Sequence, residues 1–131
     1  MLETKFIITL FNIFIQFISG CVVLPNEEIL AAGFPGGHKS AVIYNHLENK
    51  WSQVEDSMYS KYGGSGLVVL GSRIFSIGGC DDPMPVEEFD YSSRTWKSVE
   101  TPLLQPRCEH SVIPMPAEVF AHLPGGCQGV A

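Results

Sequence analysis

The chain has 131 residues, enough for one modest domain. Aspartate and glutamate number 14 against 8 lysines and arginines, and the resulting net charge of −6 gives no electrostatic footprint for nucleic acid. An apolar content of 45% argues against disorder, while 13 glycines and 9 prolines point to many turns and few long helices.

Residues 1–21 stand apart. Lys5 precedes an apolar stretch from Phe6 to Ile18, and the small residues Ser19, Gly20 and Cys21 come after it. A short charged start, an apolar stretch and a small-residue exit are the layout of a secretory signal. The apolar stretch is too short for a membrane span, which needs about 20 residues. Cleavage fits after Gly20 or after Cys21, and export to the extracellular space follows from that reading. Ile18-Ser19-Gly20-Cys21 also resembles a lipobox, and a hydrophobic β-strand is the plain alternative. The four cysteines, Cys21, Cys80, Cys108 and Cys127, form no C-x-x-C pair, so a structural zinc site is not expected. Four cysteines allow three pairings, and spacing does not choose among them.

Next in the chain, GFPGGHKS from Gly33 comes within one residue of the phosphate-binding pattern G-x-x-x-x-G-K-[ST]. His38 puts a side chain where glycine lets backbone approach a phosphate, and that pattern requires a helix after it. The next residues, SAVIYNHLENKW, instead have the character of a strand and its turn. The stretch therefore reads as a loop between strands.

A repeat explains that loop. Displacing the chain by 45 residues lays Trp51 on Trp96, Tyr44 on Phe89 and Gly33 on Gly78. It also lays Ile29-Leu30 on Ile74-Phe75 and Val22-Val23-Leu24 on Leu67-Val68-Val69, with no gap. A further shift carries Leu67-Val68 onto Val112-Ile113 and Ile74-Phe75 onto Val119-Phe120. Within the second unit GLVVLG, RIFSIGG, PVEEFDY and TWKSVE are short runs rich in β-branched and aromatic residues, bounded by turn formers. They read as four strands, the content of one β-propeller blade. Units are expected at 22–65 and 66–110, with a partial third at 111–131, giving an all-β chain of four-stranded antiparallel blades.

SRIFSIGG, FDYSSRTW and PRCEHS resemble the kelch repeat: a strand ending in double glycine, an aromatic seven residues before a tryptophan, then arginine and histidine. The residues are Gly78, Gly79, Phe89, Trp96, Arg107 and His110. Gly33, Tyr44 and Trp51 match in the first unit, where Phe34 replaces the second glycine and Tyr62 and Ser65 replace the arginine and histidine. In the third unit Gly125-Gly126 comes two residues late. The resemblance implies an incomplete kelch-type propeller whose fold is carried by Gly33, Tyr44, Trp51, Gly78, Gly79, Phe89, Trp96 and His110.

Chemistry is sparse by comparison. His38, His46, His110 and His122 lack ligand spacing, no G-x-S-x-G elbow occurs, and neither cofactor nor metal is expected. Glu27-Glu28 and Glu87-Glu88 alternate across a strand and cannot share one site. Recognition of a protein partner remains. Candidate contacts are His38, Lys39, Asp81 and Asp82 between second and third strands, and Tyr59, Tyr62, Arg107 and Glu109 between units. The resemblance also implies alternatives: an intracellular fragment related to cullin ubiquitin-ligase adaptors or actin-binding proteins, or a piece of a copper oxidase-like propeller. Because propellers close with about 4–8 blades, completion by further blades or by self-association is expected.

Overall fold

The computed structural model describes residues 20–33, 39–57, 65–79, 86–100, 103, 105, 107 and 110–122. Eight short strands form two antiparallel sheets. The first is β1 (Gly20–Val23), β2 (Ile29–Ala32), β3 (Ala41–Asn45) and β4 (Lys50–Gln53), and the second is β5 (Gly66–Leu70), β6 (Arg73–Ile77), β7 (Val86–Asp90) and β8 (Thr95–Val99). Both sheets are meanders, with spatial order equal to chain order. The architecture is all-β and consistent with successive blades of an incomplete propeller.

The 45-residue period reaches into local geometry. Tyr44 pairs with Trp51 across β3 and β4, and Phe89 with Trp96 across β7 and β8. In each pair the ring centroids lie 4.9 Å apart and the rings are tilted, a favourable aromatic arrangement. Asn45 and Asp90 each use Oδ1 to accept two backbone N–H bonds from the adjoining turn, at 3.0 and 3.2 Å and at 2.9 and 3.3 Å. Asn49 and Arg94, again 45 apart, close those turns with positive φ angles of 50° and 59°. A side-chain oxygen that satisfies the turn amides holds the hairpin at one length, which is why the period is kept without a gap here.

The sheets stack face to face. Directly opposed residues share a face, so Leu30 and Ile43 lie on one side of the first sheet with Val22, Ala32 and Ala41. Ile74, Phe89 and Trp96 lie on one side of the second, with Leu67 and Val69. These two sides form a single hydrophobic cluster, joined by Leu24 and Val54. The contact is asymmetric: the Leu30/Ile43 side of one sheet meets the Phe89/Trp96 side of the next. Trp96 Nε1 also donates to the Glu55 carbonyl of the preceding unit at 3.1 Å. Arg94 reaches back to Glu28, its Nη2 3.2 Å from each carboxylate oxygen.

Two expectations need correction. The gap-free alignment fails at β1, because Gly20 occupies the position of Gly66, and Val22-Val23 align with Val68-Val69. The first hairpin carries one extra residue. It is absorbed in Leu24–Glu28, where Glu27 has a φ of 66°, Leu24 N–H bonds the Glu28 carbonyl, and Asn26 bonds Glu28. The first described strand accordingly spans Gly20–Val23. Val119 is not on a strand, because Ala117–Ala121 forms a short helix, α1. Pro114 and Pro116 lack the N–H groups a ladder needs, and Ala117 and Glu118 favour helix. Glu87 and Glu88 do point to opposite faces, Glu87 buried and Glu88 paired with Arg73. The remainder of the expected signal, residues 1–19, lies outside the described residues. So do Cys80, Cys108 and Cys127, whereas Cys21 is a free thiol.

Phe89→Ala or Trp96→Ala should cost about 3–5 kcal/mol in denaturant titration, whereas Leu47→Ala, at an exposed turn, should stay within about 0.5 kcal/mol. The Ser93 and Ser92 amides hold the Asp90 carboxyl below its ordinary range. Its contribution is therefore present above the unfolded pKa and lost as pH falls through the folded one. Asp90→Asn should keep the turn, as Asn45 does in the first unit, while removing that acid-side loss from a stability–pH curve.

Candidate functional site: the loop end of the stacked sheets

Strand order fixes which loops meet. In a four-stranded meander the β2–β3 and β4–β5 connections lie at one end, and the β1–β2 and β3–β4 hairpins at the other. The hairpin end holds the side-chain staples, including Arg94–Glu28. The loop end holds the connections in which the sequence placed partner-binding residues. Of those residues, Lys39 and Arg107 are described, and both are exposed at this end. His38, Tyr59, Tyr62, Asp81, Asp82 and Glu109 lie outside the described residues.

The loop end is braced by backbone. Ser57 N–H donates to the Lys39 carbonyl at 2.8 Å, tying the connection between units to the β2–β3 loop. Gly33 N–H donates to the Ser40 carbonyl at 2.8 Å and closes the base of that loop. One unit later Gly79 N–H donates to the Arg107 carbonyl at 3.1 Å, forming an antiparallel bridge. Arg107 is thus held by its main chain at an exposed position.

Gly78 shows what the double glycine is for. Its φ is 80°, and a Cβ there would come within 2.6 Å of His110 Cε1 and 2.7 Å of the Arg107 carbonyl. Both backbone conformation and space exclude a side chain. His110 Nε2 lies 3.0 Å from the Ile77 carbonyl. A carbonyl only accepts, so Nε2 carries the proton. His110 therefore ties the last residues of the second unit to the end of β6. Gly33, with a φ of 101°, occupies the equivalent strand end in the first unit.

Sequence reasoning missed several contributors. Glu28 and Arg94 lie 66 residues apart and outside any local motif, yet they cross-link the two units. Arg73 makes a two-point contact with Glu88, at 2.9 and 2.7 Å, and its guanidinium lies 4.8 Å from the Phe75 ring centroid. The Arg73 hydrogen bonds hold the Glu88 carboxyl below its ordinary range. Glu88 is opposed to Phe75, two residues along β6 from Arg73, so the ion pair is a same-face diagonal that pairing RIFSI against VEEFD could have found.

Among the described residues, no group of three or more His, Cys, Asp or Glu could hold a metal ion, and no helix is long and apolar enough to cross a membrane.

The geometry defines a class first: four-stranded antiparallel sheets, repeated every 45 residues and stacked face to face. A curated relative points the same way. Kelch-like protein 21 of Bos taurus is 30% identical to this chain over 91 residues, 66% of the chain and 15% of that protein. The chain therefore spans about 15% of the length of the relative it matches. No family model matches the chain. The likeness and the two sheets together are consistent with kelch-type repeats.

Gly78→Ala should destabilise far more than Gly71→Ala. Gly71 has a φ of 63°, and a Cβ placed there would meet nothing within 4 Å, so its cost is the left-handed penalty alone, about 1–2 kcal/mol. Thermal denaturation of the two variants side by side checks this.

Proposed function

We propose that this chain is part of a kelch-repeat protein-interaction module, acting by recognition rather than catalysis. The observation that carries the reading is the repeated, stacked sheet with the Gly78–Gly79/Arg107–His110 clasp at its loop end. A scaffold spent on backbone bracing leaves its exposed loops free to vary, and loops on rigid scaffolds are where binding residues concentrate. The likeness to Kelch-like protein 21 supports the same reading. Because the match covers 15% of that protein, the reading concerns the repeat module alone.

The partner is a protein, and the contact surface is the loop end carrying Lys39 and Arg107. The other expected contacts, His38, Tyr59, Tyr62, Asp81, Asp82 and Glu109, belong to the same connections. Two exposed cations in a chain of net charge −6 form a local contrast that an acidic partner surface would match.

Cross-linking capture with the full chain, followed by identification of the bound protein, tests the reading. The double variant Lys39→Glu/Arg107→Glu should retain the wild-type melting temperature and reduce recovery of that protein at least tenfold, the effect of roughly 1.4 kcal/mol. Equal recovery with the double variant would remove the loop end from the interface.

A further inference from the structure

The two sides of the second sheet differ. The inward side, with Ile74, Phe89 and Trp96, is buried against the first sheet. The outward side falls into three rows, because directly opposed residues share a face. Nearest the loop end stand Gly66, Ile77, Val86 and Val99, a wholly apolar row. Val68, Phe75, Glu88 and Lys97 make the middle row. Nearest the hairpin end are Leu70 and Arg73 on β5 and β6, then Asp90 and Thr95 on β7 and β8.

The first sheet shows what such a side is for. Its residues 45 positions earlier, Leu30, Ala32 and Ala41, are at most 1% exposed beneath the second sheet, whereas Phe75, Ile77 and Val86 are only half-buried. Part of the seating repeats. Leu67 lies against Gly20, where a Cβ would stand 3.4 Å from its Cγ. Val112, 45 residues further on, lies against Gly66 so closely that a Cβ there would overlap its side chain. Val112 thus forms a ledge along β5, and its neighbour Ile113 is 74% exposed. Among the described residues, no strand or helix packs on the rest of this side.

The charges select the occupant. A further ring-bearing sheet stacked in the same sense would lay aromatic bulk on Arg73–Glu88 and strip that pair of water. A second copy, turned about a two-fold axis running along the strands between β6 and β7, does not. Each row then meets its own counterpart, with β6 of one copy over β7 of the other. Ile77 faces Val86 in the apolar row, and the Val112–Ile113 ledge faces Val99. In the hairpin-end row Arg73 faces Asp90, cation on anion, and the symmetry makes that contact twice. Both groups have an atom to give. Arg73 donates to Glu88 through Nε and Nη2, which leaves Nη1. Asp90 accepts the turn amides through Oδ1, which leaves Oδ2, 3.9 Å from Lys97 Nζ.

We propose that the chain pairs with a second copy of itself through the outward side of the second sheet, in this two-fold arrangement. Four strands of five residues make a face of roughly 19 by 17 Å, small beside a standard interface, so the pairing is weak and reversible. The inference is independent of the recognition reading, which concerns the loops.

Sedimentation equilibrium of the full chain in reductant, from about 5 to about 500 μM, should show a monomer–dimer equilibrium with a dissociation constant on the order of 10–100 μM. Val86→Glu should weaken it about tenfold or more, by burying an unpaired charge. Asp90→Asn, which keeps the turn as Asn45 does, should weaken it about fivefold, since the lost contact occurs twice. Unchanged affinity in Asp90→Asn, or in a Val86→Glu chain that melts like the wild type, overturns the proposal. An equal mixture of isotope-labelled and unlabelled chain reads the orientation. Isotope-filtered spectra should show Ile77 methyls of one copy close to Val86 methyls of the other. Contacts from Ile77 to Tyr44 or Trp51 of another copy would mean head-to-tail stacking and overturn it, as would a chain that stays monomeric across the range or grows beyond dimers.

Discussion

The structure depends on an unequal contact between sheets. The facing side of the first sheet offers small or branched aliphatic side chains, Ala32, Ala41, Leu30 and Ile43, and that of the second offers large rings, Phe89 and Trp96. Neither sheet has a core of its own, so each strand is stable only because the next sheet lies on it. The period of 45 follows from this. Changing the spacing of Tyr44 to Trp51, or of Phe89 to Trp96, would move the rings off the shared face, because a one-residue slip inverts every side chain.

That constraint explains what was legible. Tyr44, Trp51, Phe89 and Trp96 announced β3, β4, β7 and β8 and their register, since the hairpins between them are fixed by Asn45 and Asp90. Gly33 and Gly78 announced strand ends, and His110 a structural contact. The first hairpin is displaced by one residue from its expected alignment because Leu24–Glu28, although it carries the turn formers Pro25 and Asn26, is one residue longer than its counterpart, and composition does not reveal an extra residue held by Glu27's left-handed backbone and by Asn26. The helix at Ala117–Ala121 escapes a repeat seen in two complete units and extended into a third. There the prolines had already removed the ladder donors. Arg94–Glu28 was not legible, since only the stacking of sheets brings those residues together.

The two ends of the stack divide labour. At the hairpin end, side chains are consumed in closing turns and joining units, so the surface there is tightly determined. At the loop end, the determining bonds are made by main chain: Ser57 to Lys39, Gly33 to Ser40, Gly79 to Arg107. Backbone bonds tolerate changes of side chain, and a surface held that way can alter its chemistry without altering its shape. This is the physical basis for assigning recognition to the loop end.

The Arg73–Glu88 pair gives the assembly a direction. In the first sheet the corresponding positions are Glu28 and Ile43, and Ile43 lies in the interface with the next sheet. In the second sheet Glu88 holds that place, bound to Arg73 above Phe75. Head-to-tail contacts that repeat without closing generate open fibres. An ion pair across the growing face would have to be stripped of water before another ring-bearing sheet could settle there. The pair makes the two sheets unequal as platforms: the side that is aliphatic at Ile43 in the first sheet carries a hydrated charge pair in the second, so a neighbour settling there must bring polar groups to meet it.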